Sequence, residues 1–269
     1  MHQQIMIAQK ISASGPPAFT PNILSGLTYA MSAVHATIYK GGSTTSGLAT
    51  ADGDLAQRID SMNAIPRTLY SAAGAPSLQT NEFGAGLSAV VADAQQWLVY
   101  TKPAGTALPT VGQTVDSLFN AGTKLLLWAG TVDSAHVDTG VFYGNDCIIG
   151  DAGSGYMGLW CYQSGGNIVY QWSNYNAGQQ IRTLTVAAGT PVIIACRHDG
   201  GNLRIAQNGV TWSAPIASGN TDSMGGEAFV GKIATGFSFR TSALVTCDAT
   251  NSDTDILTVV NQMKALSGL

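Results

Sequence analysis

The sequence predicts an all-β protein closed by one C-terminal helix, and three observations predict it. The first is a rhythm. Short apolar segments at 124–129, 140–149, 156–162, 168–172 and 181–186 alternate with turn residues, the spacing of strands in a sandwich or barrel. The second is the stretch 190–212, TPVIIACRHDGGNLRIAQNGVTW. Its run Val192-Ile193-Ile194-Ala195-Cys196 has the composition of a strand buried on both faces. Asp199-Gly200-Gly201 and Asn208-Gly209 supply the positive φ of tight hairpin turns, so the stretch reads as a meander whose return begins at Val210 and Trp212. The third is the tail. Ser252 and Asp255 form a capping box, and Ile256, Val259, Val260, Met263 and Leu266 then recur at helical spacing, with Gly268 past the end.

Taken in order, residues 1–20 read as an N-terminal arm that ends in the breaker Ser14-Gly15-Pro16-Pro17. Residues 21–269 show no break in composition and are expected to form one domain. Leu24, Leu27, Tyr29 and Met31 open it, followed by a Gly/Ser/Thr loop at 40–50 and a turn at Ala51-Asp52-Gly53-Asp54. Leu55, Ile59 and Met62 fit a helical face, and the same stretch fits a strand less well; both readings stay open. From 65 to 109 short apolar pieces alternate with turns, and 227–240 carries a further strand or two.

Composition bounds the function. Charged residues make up 10% of the chain, against about 25% in an average domain. The net charge is −4 and no Lys/Arg cluster occurs, so no nucleic-acid partner is expected. No apolar run is long enough for a helical membrane span, and no signal peptide is read at the N-terminus. Cys147, Cys161, Cys196 and Cys247 lack CxxC spacing, which argues against zinc. They are expected to be buried free thiols, the alternative being one or two disulfides.

Two segments together resemble a known superfamily. Phe19-Thr20-Pro21, Leu24-Ser25-Gly26-Leu27 and Thr50-Ala51-Asp52-Gly53-Asp54-Leu55 with Arg58 form the first; Arg197-His198-Asp199-Gly200-Gly201-Asn202-Leu203-Arg204 with Asn208-Gly209 forms the second. The pairing resembles the concanavalin A-like lectin/glucanase superfamily in its laminin G-like branch, in the versions found in tailed-bacteriophage structural proteins. The resemblance implies an all-β, two-sheet antiparallel jelly-roll sandwich with an N-terminal arm and one C-terminal helix. It also implies a virion protein, in capsid decoration or the tail or fibre apparatus. Such a protein would be assembled in the host cytoplasm and dock on other virion proteins as a homo-oligomer. Carbohydrate binding to a host surface glycan is the alternative, and glycan cleavage the third reading.

The chemistry-bearing residues are few. Glucanases of the superfamily need clustered carboxylates, and this chain has only Glu82 and Glu227, far apart. No catalytic residue is therefore assigned, and the chain is expected not to be an enzyme. Asp133, His136 and Asp138 share one turn-like stretch, read as a solvated loop. No cofactor is required; Asp52 and Asp54 around Gly53 are the candidates for calcium, with plain turn formation as the other reading. Trp160, Tyr162, Trp172, Asn174 and Tyr175 crowd one region. Aromatic faces stack on sugars and amides bond hydroxyls, so these are the glycan candidates; core packing or an interface uses the same residue types.

Overall fold

The computed structural model describes residues 15–63, 67–93, 96–101, 124–135, 137, 146–153, 157–174, 180–218, 226–230 and 238–269. In chain order its strands are β1 (Tyr29–Ser32), β2 (Thr37–Tyr39), β3 (Arg58–Asp60), β4 (Thr68–Ala73), β5 (Ser77–Gln79), β6 (Ala89–Ala92), β7 (Trp97–Thr101), β8 (Lys124–Ser134) and β9 (Asp146–Gly153). There follow β10 (Met157–Ser164), β11 (Asn167–Asn174), β12 (Gln180–Ala187), β13 (Val192–His198), β14 (Asn202–Gln207), β15 (Ile216–Ala217), β16 (Gly226–Val230) and β17 (Ser238–Cys247). Helix α1 (Asp253–Leu266) closes the chain.

The strands form two antiparallel sheets. One has eight strands, ordered β15-β14-β13-β8-β17-β6-β5, with β1 also paired to β17. The other has nine, ordered β12-β11-β10-β9-β16-β7-β4-β3-β2. Strand β17 is long enough to hold β6 at one end and β1 at the other, so the N- and C-terminal parts of the chain meet on it. The all-β sandwich with a single helix is the architecture expected.

The eight-stranded sheet is covered on both faces, which explains why its strands read as unbroken apolar runs. Along β8, Leu126 and Trp128 face the other sheet, while Leu125, Leu127 and Ala129 face the helix. Along β13, Ile194 and Cys196 face inward and Ile193 and Ala195 face the helix. Helix α1 buries Ile256, Val259, Val260, Met263 and Leu266 against this second layer, the stripe its spacing predicts. Each such aliphatic side chain contributes about 1.5–3 kcal/mol by leaving water. Its N-cap forms, Ser252 Oγ accepting from the Asp255 N–H at 3.2 Å, while the Asp255 carboxylate takes the Ser252 hydroxyl at 2.6 Å in place of the backbone N–H of a full capping box.

The meander forms with one correction. β13 and β14 pair through the Asp199–Gly201 turn, where Gly200 and Gly201 have φ of 80° and 139°. Asn208 takes φ of 53° and its side chain accepts from the Ile193 N–H at 2.8 Å. The returning strand, however, is Ile216–Ala217 and not Val210–Trp212. Trp212 is drawn off the sheet, its indole N–H donating to Asp253 and its ring lying 5.7 Å from the Arg197 guanidinium. The open choice at Leu55–Met62 resolves as strand β3. All four cysteines are free and buried, and burial pushes the Cys161 and Cys196 thiols well up and the Cys247 thiol to about 12.

Residues 1–14 of the expected arm lie outside the described residues. The part that follows is docked: Phe19 is buried against the helix layer, and Thr20 and Gln262 exchange two hydrogen bonds of 2.8 Å.

Candidate binding face

Strands β10, β11 and β12 pair in regular antiparallel register, and that register sorts the aromatic residues. Leu159 lies opposite Trp172 and Trp160 lies opposite Gln171, which in turn lies opposite Thr183. Successive side chains point to opposite faces of a sheet. Leu159, Cys161, Tyr170 and Trp172 therefore face the core, while Trp160, Tyr162, Val169, Gln171 and Ser173 face outward. Two cross-strand rows result on the outer face: Trp160–Gln171–Thr183, and Tyr162–Val169–Thr185.

Of the expected glycan residues, Trp160 and Tyr162 lie on the outer face and Trp172 on the inner one. Trp172 is 0% exposed in the inter-sheet core, and its indole N–H donates to the Arg197 carbonyl at 3.2 Å. A sugar-stacking ring needs an open face, so the place of Trp172 is the core. Trp160 is 7% exposed, its indole lying over Gly158. A Cβ on Gly158 would stand 3.0 Å from the Trp160 Nε1 and 2.8 Å from the Gly150 Cα, so glycine is what lets the ring lie flat there. Tyr162 is half-buried and keeps an accessible edge. Asn174 ends β11, and Tyr175 lies outside the described residues. Gln171, Thr183 and Thr185 join the face without having been singled out. Only strand pairing brings them beside Trp160 and Tyr162, and pairing partners are not written in a single sequence.

The remaining candidates separate in space. Asp52 accepts from the Thr80 N–H at 2.8 Å, and Asp54 accepts from the Thr50 and Ala51 N–H groups at 2.9 and 2.8 Å. Lys40 Nζ sits 2.8 Å from Asp54. Both carboxylates therefore act as turn acceptors, and Asp54 is also paired with a lysine ammonium. The Lys40 hydrogen bond and the two N–H donors hold the Asp54 carboxyl at about 2, below its ordinary 3.8. A depressed carboxyl stabilises the fold above its unfolded pKa and loses that contribution as pH falls through the folded one. Lys40→Ala is thus expected to raise the Asp54 midpoint toward 3.8, read by carbon-detected NMR titration of the carboxyl.

Asp133 is bound to Arg240 at 3.0 Å, and burial raises its pKa against the pull of that guanidinium. His136 and Asp138 lie outside the described residues. Glu82 pairs with Arg240 at 2.9 Å beside the eight-stranded sheet, while Glu227 belongs to β16 of the nine-stranded one. A further polar group was not anticipated: Arg58, 2% exposed, is held by Asp60 at 2.8 and 3.0 Å between the rings of Tyr39 and Tyr70.

No protein-family model matches the sequence, and no curated protein matches it. Solved structures match the fold. A botulinum neurotoxin serotype D binding domain has a TM-score of 0.52 at 9% identity, covering 88% of this chain and 50% of that one. The binding domain of botulinum neurotoxin DC, solved in complex with SialylT, has a TM-score of 0.50 at 10% identity, over 76% and 48%. A mutant GH54 α-L-arabinofuranosidase soaked with 4-nitrophenyl α-L-arabinofuranoside has a TM-score of 0.57 at 12% identity, over 91% and 63%. The chain spans about half the length of the neurotoxin domains it matches. Sandwich, sheet order and these neighbours together make the fold an antiparallel, jelly-roll-like β-sandwich.

Proposed function

We propose that this chain is a non-enzymatic binding domain that holds a surface glycan on the outer face of β10–β12. The observation that carries the reading is the pair of rows there. A half-buried tyrosine ring and two exposed threonine hydroxyls share one face, the mixture that stacks on a sugar ring and bonds its hydroxyls, while the Gln171 amide between them is buried. The neurotoxin domain solved with SialylT and the arabinofuranosidase soaked with an arabinofuranoside support it, since sandwiches of this shape accommodate sugars. The absence of catalysis is part of the proposal. A retaining glycosidase needs two carboxyl groups about 5–5.5 Å apart; Glu82 lies in the turn between β5 and β6 of one sheet, and Glu227 on β16 of the other. The setting in a phage virion, as a tail, fibre or decoration protein, rests on the sequence resemblance.

The test is glycan-array capture with bacterial surface polysaccharides. Tyr162→Ala and Thr185→Ala are each expected to weaken capture about tenfold, roughly 1.4 kcal/mol, with an unchanged melting temperature. Capture by Tyr162→Ala equal to wild type would sink the site. Release of reducing sugar by the wild type would sink the non-enzymatic half. Trp172→Ala is no test of binding, because it empties the core.

A further inference from the structure

Strand β14 of the eight-stranded sheet carries two polar side chains that its neighbours leave unused. Leu203 and Ile205 face the inter-sheet core and Ala206 faces the helix layer, so Asn202 and Arg204 lie on the helix side too. Register sets Arg204 directly opposite Arg197 of β13, on that same face. Like charges opposite each other destabilise a ladder, and the two arginines are compensated unequally. Arg197 donates to Asp253 at 2.9 Å and to the Ala249 carbonyl at 2.7 Å, and the half-buried Trp212 ring lies 5.7 Å from its guanidinium. Arg204 has one carboxylate nearby, Asp199, whose Oδ2 stands 3.4 Å from Nε without forming a hydrogen bond. The Arg204 side chain is 35% exposed, against 19% for Arg197. Among the described residues its Nη1 and Nη2 donate to nothing, and the Asn202 amide bonds nothing.

A guanidinium with its outer edge free presents two parallel donors, the geometry that receives a carboxylate. We propose that Arg204 and Asn202, beside the Trp212–Arg197 contact, form a site for the carboxylate of an acidic sugar. Charge selects the group. Asp199 and Asp253 already offset the two arginines, so a singly charged carboxylate fits, whereas a phosphate dianion meets their repulsion. Backbone pairing selects the carrier. β14 is bonded to β13 along one side, and along the other to β15 and to Ser213, whose N–H donates to the Ile205 carbonyl at 2.9 Å. That leaves no stretch of β14 for an extended acidic peptide to join as a strand. A compact sugar acid needs only the guanidinium fork, the Asn202 amide for a hydroxyl and the indole for its carbons. The site lies on the other sheet from the β10–β12 face and is independent of the glycan reading.

Two-dimensional NMR of the full chain, with sodium glucuronate as probe, tests it. Glucuronate is expected to shift the Arg204 Nε–H, the Asn202 side-chain amide and the Trp212 indole signals saturably. Glucose and inorganic phosphate at the same concentration are expected to leave them in place. Arg204→Lys keeps the charge without the fork and is expected to weaken binding about tenfold, read at the indole. Asn202→Ala removes only the hydroxyl partner and is expected to weaken it about threefold. Both variants are expected to melt as the wild type does. Absence of any shift overturns the proposal, as do equal shifts with glucose or phosphate, or undiminished binding by Arg204→Lys. Saturation by tetra-aspartate at lower concentration than glucuronate overturns the sugar as the ligand. Shifts confined to Tyr162, Thr183 and Thr185 overturn this site in favour of the other face, whereas failed glycan capture on that face leaves the shifts at Arg204 unchanged.

Discussion

Trp128→Ala is expected to cost about 3–5 kcal/mol, a large share of the roughly 5–15 kcal/mol that holds a domain folded. The indole is 0% exposed at the centre of the eight-stranded sheet, with its ring centroid 5.9 Å from that of Tyr170. Its N–H donates to Thr241 Oγ1 at 2.9 Å across the β8–β17 ladder. Alanine removes the ring, leaves a void between two sheets that cannot close independently, and strands the threonine hydroxyl. Neighbouring Gly130 shows how little slack exists, for a Cβ there would fall on the Arg240 carbonyl oxygen and against the Trp128 ring. Urea unfolding reads the effect as a lower midpoint at unchanged slope. A loss under about 1 kcal/mol, the range of exposed-site changes, would mean that the ring is not packed as described.

Asp60→Ala is expected to cost a similar amount, about 3–5 kcal/mol, because it leaves a buried cation without its carboxylate. Burial opposes the charge on Arg58, yet the Asp60 hydrogen bond and its field outweigh that and raise the guanidinium pKa. The pair is therefore mutually dependent, with the Tyr39 and Tyr70 rings at 5.2 and 5.6 Å completing the cage. Thr68 Oγ1 also donates to Asp60 at 2.9 Å. The double variant Arg58→Met with Asp60→Ala is expected to be more stable than Asp60→Ala alone, since it removes the orphaned charge. A double-mutant cycle in urea measures this. Additive losses would show that the two side chains act separately.

Much of the fold could be read from residues. The runs at 124–129 and 192–196 announced strands covered on both faces, and Ser252 with Asp255 announced the start of the helix. What stayed hidden depends on pairing. Trp160 and Trp172 look like neighbours in sequence, but the register sets Leu159 against Trp172, and one residue of offset places the two rings on opposite faces. Thr183 and Thr185 became candidates only when three strands lay side by side. Arg58 and Asp60 sit two apart on β3 and so share a face, yet nothing local marks them as buried. Trp212 looked like a strand residue because the Asn208-Gly209 turn is real; its partners at Arg197 and Asp253 lie far off in the chain.

The meeting of both chain ends on β17 constrains biosynthesis. Tyr29 of β1 takes Thr246 as its partner, and β6 and β8 wait on the same late strand. Until residues 238–247 emerge, β1 lacks its partner strand, and β6 and β8 are paired on one side only, with β5 and β13. Closure of the eight-stranded sheet thus waits for a late strand, and it is slow because its pairings span most of the chain. A nascent polypeptide in that interval exposes unpaired apolar strands, and holding chaperones should associate with it until the last strand arrives.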